Sequence, residues 1–293
     1  MTGGKFMDRS IIKNYRKNDK LRNSFNALAK ETFGLDFEPW YHRGFWNEKY
    51  IPYSVLCEGR IISNVSVNLI DCEYAGQKKR YIQLGTVMTD KKYRHKGYIR
   101  MLMEEIRRDY SGCDGFFLYA NDSVCDFYPK FDFEKAEEYR FRAEIHTNSS
   151  PSAIPVSMQT SDDWTHFLKE KKQRKSSGVL NLDTDDLLMF YLTQFMKDHV
   201  FYIPSPNCYV IAEADNDILT VYDIFSEQPV DIISVCSCFG AGIKSADFAF
   251  TPDDTHHLEK YLYREDNSTF FILGEGLKQD MKHIGAFPAV AHA

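Results

Sequence analysis

Residues 83–99, which read QLGTVMTDKKYRHKGYI, constrain the fold of this chain more than any other segment. They predict an apolar β-strand through Val87 and Met88, a polar turn, and then an amphipathic helix over about residues 98–110. Backbone N–H groups at the start of a helix lack an intrahelical partner, and the helix dipole adds partial positive charge there. A strand, a turn and a helix in this order therefore suit an anion such as a pyrophosphate.

The turn itself has an Arg-x-x-Gly pattern that strengthens this interpretation. Arg94 and Lys96 bring formal positive charge into the turn, and Arg100 adds a third cation in the first turn of the predicted helix. Gly97 lets the backbone approach a ligand closely. An isolated Arg-x-x-Gly is common by chance, so the signal depends on the strand before it and the helix after it.

Charge is distributed unevenly along the chain. Residues 1–150 carry 25 Lys and Arg against 21 Asp and Glu, a net charge of +4, whereas residues 151–293 carry 11 against 21, a net charge of −10. The basic half contains the predicted phosphate loop, as an anionic ligand favours, although solvated faces of opposite sign explain the difference equally well. The total is acidic and basic residues alternate with acidic ones, so nucleic acid is not an expected partner.

The loop resembles motif A of the GNAT N-acetyltransferases, Gln/Arg-x-x-Gly-x-Gly/Ala, which grips the pyrophosphate of acetyl-CoA. The resemblance implies acetyl-CoA as co-substrate, bound by Arg94, His95, Lys96, Gly97, Tyr98 and Ile99. It also implies that a backbone N–H near Val87 or Met88 holds the thioester carbonyl. Ile99 departs from the family pattern, and its side chain either crowds the cofactor or points into the core. His95 is expected to be a solvent-facing residue of the loop and not a catalyst.

A second segment carries the resemblance into the catalytic chemistry. Residues 121–133 resemble the family's Asn…Tyr-x-x-Gly-Phe stretch, in which Asn121 would bind the pantetheine arm and Tyr128 would protonate the leaving sulfur as general acid. Asp132 replaces the family's Gly, and Asp tolerates a positive φ better than most residues. Taken alone, Tyr128 could be a core aromatic and Asn121 a helix N-cap, and the cap and binding roles can coexist.

The general base is not evident from the sequence. Many GNATs carry a Glu on the strand before the loop, but residues 81–88 contain none. Asp71, Glu73 and the acidic second half remain candidates. In the enhanced-intracellular-survival type of GNAT the C-terminal carboxylate is the base, which would be that of Ala293 here. The tail over residues 287–293 is apolar enough to dock, yet a frayed terminus is the expected state.

The first half predicts alternating strands and helices that match the GNAT architecture. This is an α/β (α+β) fold with a mixed, mostly antiparallel sheet flanked by helices, closed by a strand over residues 136–145. An acetyltransferase domain is therefore expected over residues 1–146. The polar sequence TNSSPS at residues 147–152 then predicts a linker.

Residues 153–293 predict a second, degenerate GNAT-like domain without a CoA motif. Its strands and helices follow a GNAT-like order, with helices expected at residues 162–172, 183–199, 229–238 and 255–263. After the strand at residues 218–225, however, the chain reads Ser-Glu-Gln-Pro, and an acidic residue and a proline would repel a pyrophosphate. The arrangement resembles the first two domains of the enhanced-intracellular-survival type, and the chain is too short for that family's third, sterol-carrier-like domain.

No metal site is predicted. The Asp and His residues at 253–257 are expected at an exposed helix start, because adjacent His side chains on a helix point about 100° apart. Seven cysteines without a framework spacing indicate reduced thiols. No run of 18 apolar residues exists, and residues 1–20 lack the apolar region of a secretory signal. The expectation is a cytoplasmic protein with no membrane segment.

The function implied by the resemblance is direct transfer of the acetyl group of acetyl-CoA to a primary amine. The acidic second half would then wall the acceptor pocket and suit a cationic small-molecule or peptide amine. Aromatic residues between Trp40 and Trp46 fall where GNATs have substrate-side helices, and could pack in the core or stack on a substrate. Two alternatives stay open. Ile99, Asp132 and the missing base suggest a non-catalytic CoA-binding or sensing protein, and a larger acyl-CoA could replace acetyl-CoA.

Overall fold

A computed structural model describes residues 9–292, and two eight-stranded sheets flanked by helices account for most of them. The strands are β1 (Arg9–Lys13), β2 (Tyr50–Cys57), β3 (Arg60–Tyr74), β4 (Gln77–Thr89), β5 (Gly115–Asn121), β6 (Glu134–Lys135), β7 (Glu138–Glu144), β8 (Ile154–Pro155), β9 (Lys175–Ser176), β10 (Asn181–Asp183), β11 (Val200–Ile203), β12 (Cys208–Asp215), β13 (Ile218–Ser226), β14 (Ser245–Phe248), β15 (Glu259–Tyr263) and β16 (Ser268–Leu273). The helices are α1 (Asp19–Phe33), α2 (Glu38–His42), α3 (Tyr98–Asp109), α4 (Ser161–Lys171), α5 (Asp185–Gln194), α6 (Ile232–Ser237) and α7 (Glu275–Ile284).

The first sheet has the strand order β1-β2-β3-β4-β5-β16-β6, with β10 beside β3. Strands β1 to β4 pair antiparallel, whereas β4 and β5 are parallel and joined by α3. Their pairing runs only from Tyr81 opposite Gly115 to Gln83 opposite Phe117. Beyond that point β4 and β5 have no register partners in each other, so a cleft opens between them at the start of α3.

Helix α3 forms because its apolar residues recur at helical spacing, and this face is buried against the first sheet. Leu102, Met103 and Ile106 are buried in one core with Val67 and Leu84 of the sheet. Burying three such side chains contributes several kcal/mol, at about 1.5–3 kcal/mol each. The packing of this face fixes the N-terminus of α3 at the mouth of the cleft.

The second sheet repeats this arrangement in the order β15-β7-β14-β13-β12-β11-β8, with β9 beside β13. The antiparallel pair β12 and β13 is followed by α6 and then by β14, which pairs parallel to β13. The molecule therefore carries the same strand–helix–strand crossover twice, once in each sheet. This confirms the predicted α/β architecture with a second domain-like repeat.

The predicted closing strand of the first sheet has a different partner. Strand β7, within the predicted residues 136–145, pairs with β14 and β15 of the second sheet. The first sheet is instead continued by β16, which pairs antiparallel with β5. Local apolar patterning predicts that a segment is a strand and does not select its neighbour. Both sheets therefore contain strands from before and after the predicted linker at residues 147–152.

Two helices predicted from the sequence are wrong. Residues 255–263 do not form one, because β15 pairs with β7 there and the ring of Tyr263 lies 3.4 Å from the Arg140 guanidinium carbon across the pair. The chain after Asn121 forms two short 3-10 segments, Asp122–Val124 and Tyr128–Phe131, in place of a continuous helix. Helix α7 was not predicted at all.

The predicted frayed C-terminus is also wrong as far as His292. Phe287 is 1% exposed and stacks on Phe117, with ring centroids 4.1 Å apart and planes at 7°. Ala291 is fully buried at the end of a 3-10 turn. The tail, α7 and Leu187 of α5 pack on the face of the first sheet opposite α3. The proposed carboxylate of Ala293 lies outside the described residues.

The seven cysteines are free thiols. Among the helices of residues 9–292, none is both long enough and apolar enough to cross a membrane.

Candidate active site

The cleft between β4 and β5 is the mouth of a cavity of about 1010 Å³. It brings together all of the residues predicted for acetyl-CoA binding and acid catalysis, namely Val87, Met88, Arg94, His95, Lys96, Gly97, Tyr98, Ile99, Asn121 and Tyr128. These residues come from three separate segments of the first half. Their convergence follows from the splay of the two parallel strands.

The loop before α3 is shaped to receive an anion. His95 and Gly97 adopt left-handed backbone conformations, with φ of 61° and 80°. Gly97 is the N-cap of α3, and no side chain caps the helix. A Cβ atom placed on Gly97 would meet nothing within 4 Å, so the space in front of it is open. The N–H groups of the first turn of α3 therefore face the solvent side without a capping side chain, as phosphate sites at helix starts require.

The positive charge of the loop is available for a ligand. Arg94, Lys96 and Arg100 are exposed, and within residues 9–292 no carboxylate forms an ion pair with any of them. Arg94 Nε donates to the carbonyl oxygen of Thr89 at 3.2 Å, which directs its side chain along the loop. Three uncompensated cations beside an uncapped helix start fit the pyrophosphate of a coenzyme A thioester.

Both departures from the family motif are accommodated. Ile99 is half-buried and packs against the core between α3 and the first sheet while also lining the cavity. Asp132 takes the left-handed conformation, with φ of 66°, that a glycine would adopt at this position. Arg107 Nη1 donates to its carboxylate at 3.0 Å. Neither residue closes the cavity.

A bulge in β4 exposes backbone to the cavity directly before the loop. Opposite β3, Ser66 pairs with Gly85 and Asn64 pairs with Met88, so Thr86 and Val87 have no register partner there. Thr86 has a φ of 47°, which is a strained conformation for a β-branched residue. The bulge lies at the position expected for the backbone N–H of Val87 or Met88.

Buried polar side chains hold this bulge in place. Asn64 Nδ2 donates to the carbonyl oxygen of Thr86 at 2.9 Å, and the hydroxyls of Tyr50 and Thr86 are 2.8 Å apart. Asn64 Oδ1 accepts from Ser54 at 2.7 Å, and the Ser54 hydroxyl is 2.7 Å from that of Tyr15. The sequence does not reveal this network, whose only signal is a set of polar residues inside otherwise apolar strands.

Tyr128 lies in the wall of the cavity and is 5% exposed. Its ring contacts those of Phe271 and Phe133 at centroid distances of 5.6 and 6.2 Å. Burial raises the pKa of Tyr128 to about 12, so its hydroxyl keeps its proton at neutral pH. Tyr128 is thus a core aromatic that also lines the cavity.

Asn121 has the capping role that the sequence allowed. Its side-chain oxygen accepts from the backbone N–H of Ser123 at 3.3 Å, which starts the 3-10 segment Asp122–Val124. The residue is exposed at the end of β5 and lines the cavity. His95 is exposed in the loop, as expected for a residue without a catalytic role.

The second half of the chain supplies a wall of the cavity, as expected, but through residues that the sequence did not single out. Helix α5 contributes Phe190 and Tyr191, and the tail contributes His292. The His292 ring stacks on Tyr119 at 3.9 Å, and the Tyr191 hydroxyl donates to the His292 carbonyl oxygen at 2.6 Å. Burial lowers the pKa of His292 to about 3, so its imidazole is neutral at neutral pH.

The prediction that acidic residues line this wall is wrong. None of the described residues that line this cavity is Asp or Glu. The acidic residues of α5, Asp185 and Asp186, lie at its start, whereas its apolar face is the part turned to the first domain. A net charge counted over half a chain does not locate individual carboxylates, and the helix periodicity placed them away from the cavity.

The equivalent position in the second sheet lacks these features. The N-terminus of α6 is capped by the Asp231 carboxylate, which accepts from Ile233 N–H at 3.1 Å. Glu227 and Asp231 line a separate cavity of about 370 Å³ there. Negative charge at this helix start opposes a phosphate. His256 and His257 lie in an exposed loop, and no group of potential metal ligands occurs in residues 9–292.

Residues 15–136 match the family model described as an acetyltransferase (GNAT) domain. This part of the chain therefore resembles a GNAT acetyltransferase domain. The match spans the bulge, the phosphate loop, α3 and Tyr128, and it supports acyl transfer as the chemistry of the cavity. No curated protein sequence matches the chain.

Solved structures with a GNAT fold match both halves of the molecule. A probable N-acyltransferase from Enterococcus faecalis has a TM-score of 0.61 at 12% identity, covering 90% of this chain and 72% of its own. A GCN5-related N-acetyltransferase from Kribbella flavida gives 0.56 at 13% identity, covering 91% and 71%. Eis1 from Mycobacterium abscessus gives 0.55 at 12% identity, covering 90% and 72%. The shared fold extends beyond the GNAT domain to the second sheet.

Proposed function

We propose that this protein transfers the acetyl group of acetyl-CoA directly to a primary amine in the cavity of its GNAT domain. The observation that carries the proposal is the meeting of three features in one cavity. These are the uncapped start of α3 with its unpaired cations, the strained bulge at Thr86, and the buried hydroxyl of Tyr128. Each serves a different requirement of acyl transfer from a thioester.

The loop and the bulge would bind and orient the co-substrate. Arg94, Lys96 and the first-turn amides of α3 would hold the pyrophosphate, and Asn121 would meet the pantetheine arm. A backbone N–H of Val87 or Met88 would then donate to the thioester carbonyl oxygen, where negative charge develops. Acetyl-CoA supplies the activated acetyl group, and these residues of the chain supply position and electrostatic stabilisation.

Tyr128 would act as the general acid. The amine nitrogen forms a bond to the carbonyl carbon as the carbon–sulfur bond breaks, the amine loses one proton and the sulfur gains one. The sulfur takes its proton from the Tyr128 hydroxyl. The proton released by the amine returns to the Tyr128 oxygen by way of water and regenerates the phenol. In the net reaction, a neutral amine and a thioester give an amide and a thiol.

Residues 153–293 would complete the acceptor side without binding CoA themselves. Helix α5 and the tail line the cavity, whereas the start of α6 carries the Asp231 cap in place of a phosphate loop. On this proposal, residues 1–146 bind the co-substrate and residues 153–293 line the acceptor side. Each sheet nevertheless contains strands from both parts of the chain.

The direct test is release of free thiol from acetyl-CoA in the presence of an amine panel, with mass spectrometry of the product. The expected result is one amide formed per thiol released. CoA binding measured by calorimetry runs in parallel. Tight CoA binding without turnover across cationic, aliphatic and aromatic amines would instead identify a CoA-binding or sensing protein.

A further inference from the structure

The cavity continues beyond the bulge as an aromatic wall. Tyr50, whose hydroxyl contacts Thr86 at 2.8 Å, stacks with Phe37 at a centroid distance of 5.6 Å. Phe37 in turn stacks with Phe190 of α5, also at 5.6 Å. Trp40 lies 5.4 Å from Phe190 in an edge-on contact. All four rings line the cavity, so a path of aromatic surface leads away from the expected thioester carbonyl.

This wall reaches the surface as exposed apolar side chains. Phe33 of α1 is 47% exposed, Phe195 after α5 is 55% exposed, and both line the cavity. Phe195 is 5.7 Å from Phe190, which connects it to the buried rings. Large apolar residues that are exposed around a cavity mouth indicate an apolar ligand.

The charged residues that line the cavity also favour an apolar ligand over a polycation. Its described lining contains no carboxylate, and its cations are Arg94, Lys96, Arg100 and Lys130. Glu138 accepts a hydrogen bond from the Tyr119 hydroxyl at 2.8 Å but does not itself line the cavity. With the loop cations held by the pyrophosphate of CoA, a polycation would lose hydration at the aromatic wall without gaining an ion pair to the described lining.

We propose that the acceptor is a primary amine joined by a short chain to an aromatic ring, which enters the cavity as the free base. This rests on the proposed acyl transfer and names the acceptor class for the same cavity. The ring of the acceptor packs against Phe190 and Phe195, and its nitrogen reaches the bulge. The apolar surroundings favour the neutral amine, whose lone pair is the nucleophile, so that no carboxylate is needed to deprotonate it.

The test compares 2-phenylethylamine, ethylamine and spermidine on the full-length protein. With acetyl-CoA, kcat/KM for 2-phenylethylamine is expected to exceed that for ethylamine by roughly 50-fold or more, because an aromatic ring is buried. It is expected to exceed that for spermidine as well. Binding of each amine to the CoA-saturated protein is measured by calorimetry, which does not depend on turnover.

A rim variant tests the wall itself. Phe195→Ser changes a side chain that is 55% exposed, so folding is expected to survive. The ratio of kcat/KM for 2-phenylethylamine over ethylamine should fall roughly fivefold. Leu262→Ser is the matched control, since Leu262 is 41% exposed on β15 and does not line the cavity. The ratio should not change in this control.

The possible outcomes separate this inference from the proposed function. Preferential acetylation of spermidine would overturn the acceptor class and leave acyl transfer intact. Binding of 2-phenylethylamine without turnover of any amine would keep the aromatic amine as the ligand of this wall and overturn acyl transfer. Failure of 2-phenylethylamine to bind, with octanoyl-CoA binding more tightly than acetyl-CoA, would assign the aromatic wall to an acyl chain and overturn the inference.

Discussion

Tyr128 combines burial with access to the cavity, and this combination suits a proton donor. Its pKa, raised to about 12 by burial, keeps the phenol protonated, and the ring is held by Phe133 and Phe271. The sequence predicted this residue because its spacing from Asn121 matched a family motif. It could not show that the helix expected between them is a pair of 3-10 segments.

Tyr128→Phe removes the donor and keeps the ring. Turnover in the thiol-release assay should fall by roughly 10²–10⁴-fold, the range for one acid–base group, with unchanged CoA affinity and melting temperature. Tyr222→Phe is the control, because that hydroxyl donates to Glu213 at 3.1 Å in the second sheet and Tyr222 does not line the cavity. A loss below tenfold in Tyr128→Phe would mean that water or another group protonates the sulfur.

The Tyr50 hydroxyl is expected to position the bulge. Tyr50→Phe loses the contact with Thr86 and keeps the aromatic ring, so kcat should fall about fivefold, as for one hydrogen bond, with KM for acetyl-CoA unchanged. Tyr15→Phe removes a hydroxyl at the other end of the same network, where it contacts Ser54. Equal effects of the two variants on kcat would show that the network stabilises the fold without positioning the bulge.

At the scale of elements, local and non-local signals differed in what they revealed. The β4–loop–α3 unit could be predicted, because its apolar strand, its Arg-x-x-Gly turn and its helical periodicity lie within one short segment. The partners of β7 and β16 could not be predicted, because apolar alternation marks a strand without naming its neighbour. For the same reason the sequence did not predict β15. Its tyrosines pack beside the arginines of β7 only once the two strands are paired.

Strand β7 also carries a carboxyl group that makes stability depend on pH. Burial raises the pKa of Glu138 to about 7, while the Tyr119 hydrogen bond and Arg140 lower it and Glu265 raises it. Between pH 4.5 and 7 the folded protein holds a proton that the unfolded chain has released. The free energy of unfolding therefore falls as pH rises through this window, by up to about 3 kcal/mol from this group.

Glu138→Gln should remove this part of the pH dependence. The free energy of unfolding of the variant minus that of the wild type is expected to be larger at pH 8 than at pH 4.5. Chemical denaturation at both pH values measures it. Glu137→Gln, at an exposed neighbouring position, should show no such difference. A difference of the opposite sign would show that Glu138 is ionised and stabilising in the folded protein.

At the scale of the whole molecule, the two halves are joined by exchanged strands and a docked tail. Strand β16, α7 and Phe287 all come from the second half and complete the first sheet and its core. The tail was expected to fray because chain termini are usually poorly ordered unless they are held in place. Its burial depends on a complementary aromatic surface at Phe117, which no local pattern encodes.

Cleavage of the linker is expected to leave the molecule intact. A protease site inserted after Ser150, where the chain is exposed, should give two fragments that stay together through size-exclusion chromatography. Residues 1–152 expressed alone should show no cooperative melting transition, because they lack β16 and the tail. Separation of the nicked fragments into two independently folded pieces would contradict this view of the interface.

On the proposed function, the first half alone holds acetyl-CoA, through the loop before α3. Calorimetric titration of CoA tests it most directly. One CoA should bind per chain, and Arg94→Glu should weaken the affinity by roughly 30–150-fold, because an attractive charge becomes repulsive beside the phosphates. Lys244→Glu makes the same charge change at an exposed position directly before β14 and should leave the affinity unaltered. Equal affinity of Arg94→Glu and the wild type would contradict the assignment of this loop as the phosphate site.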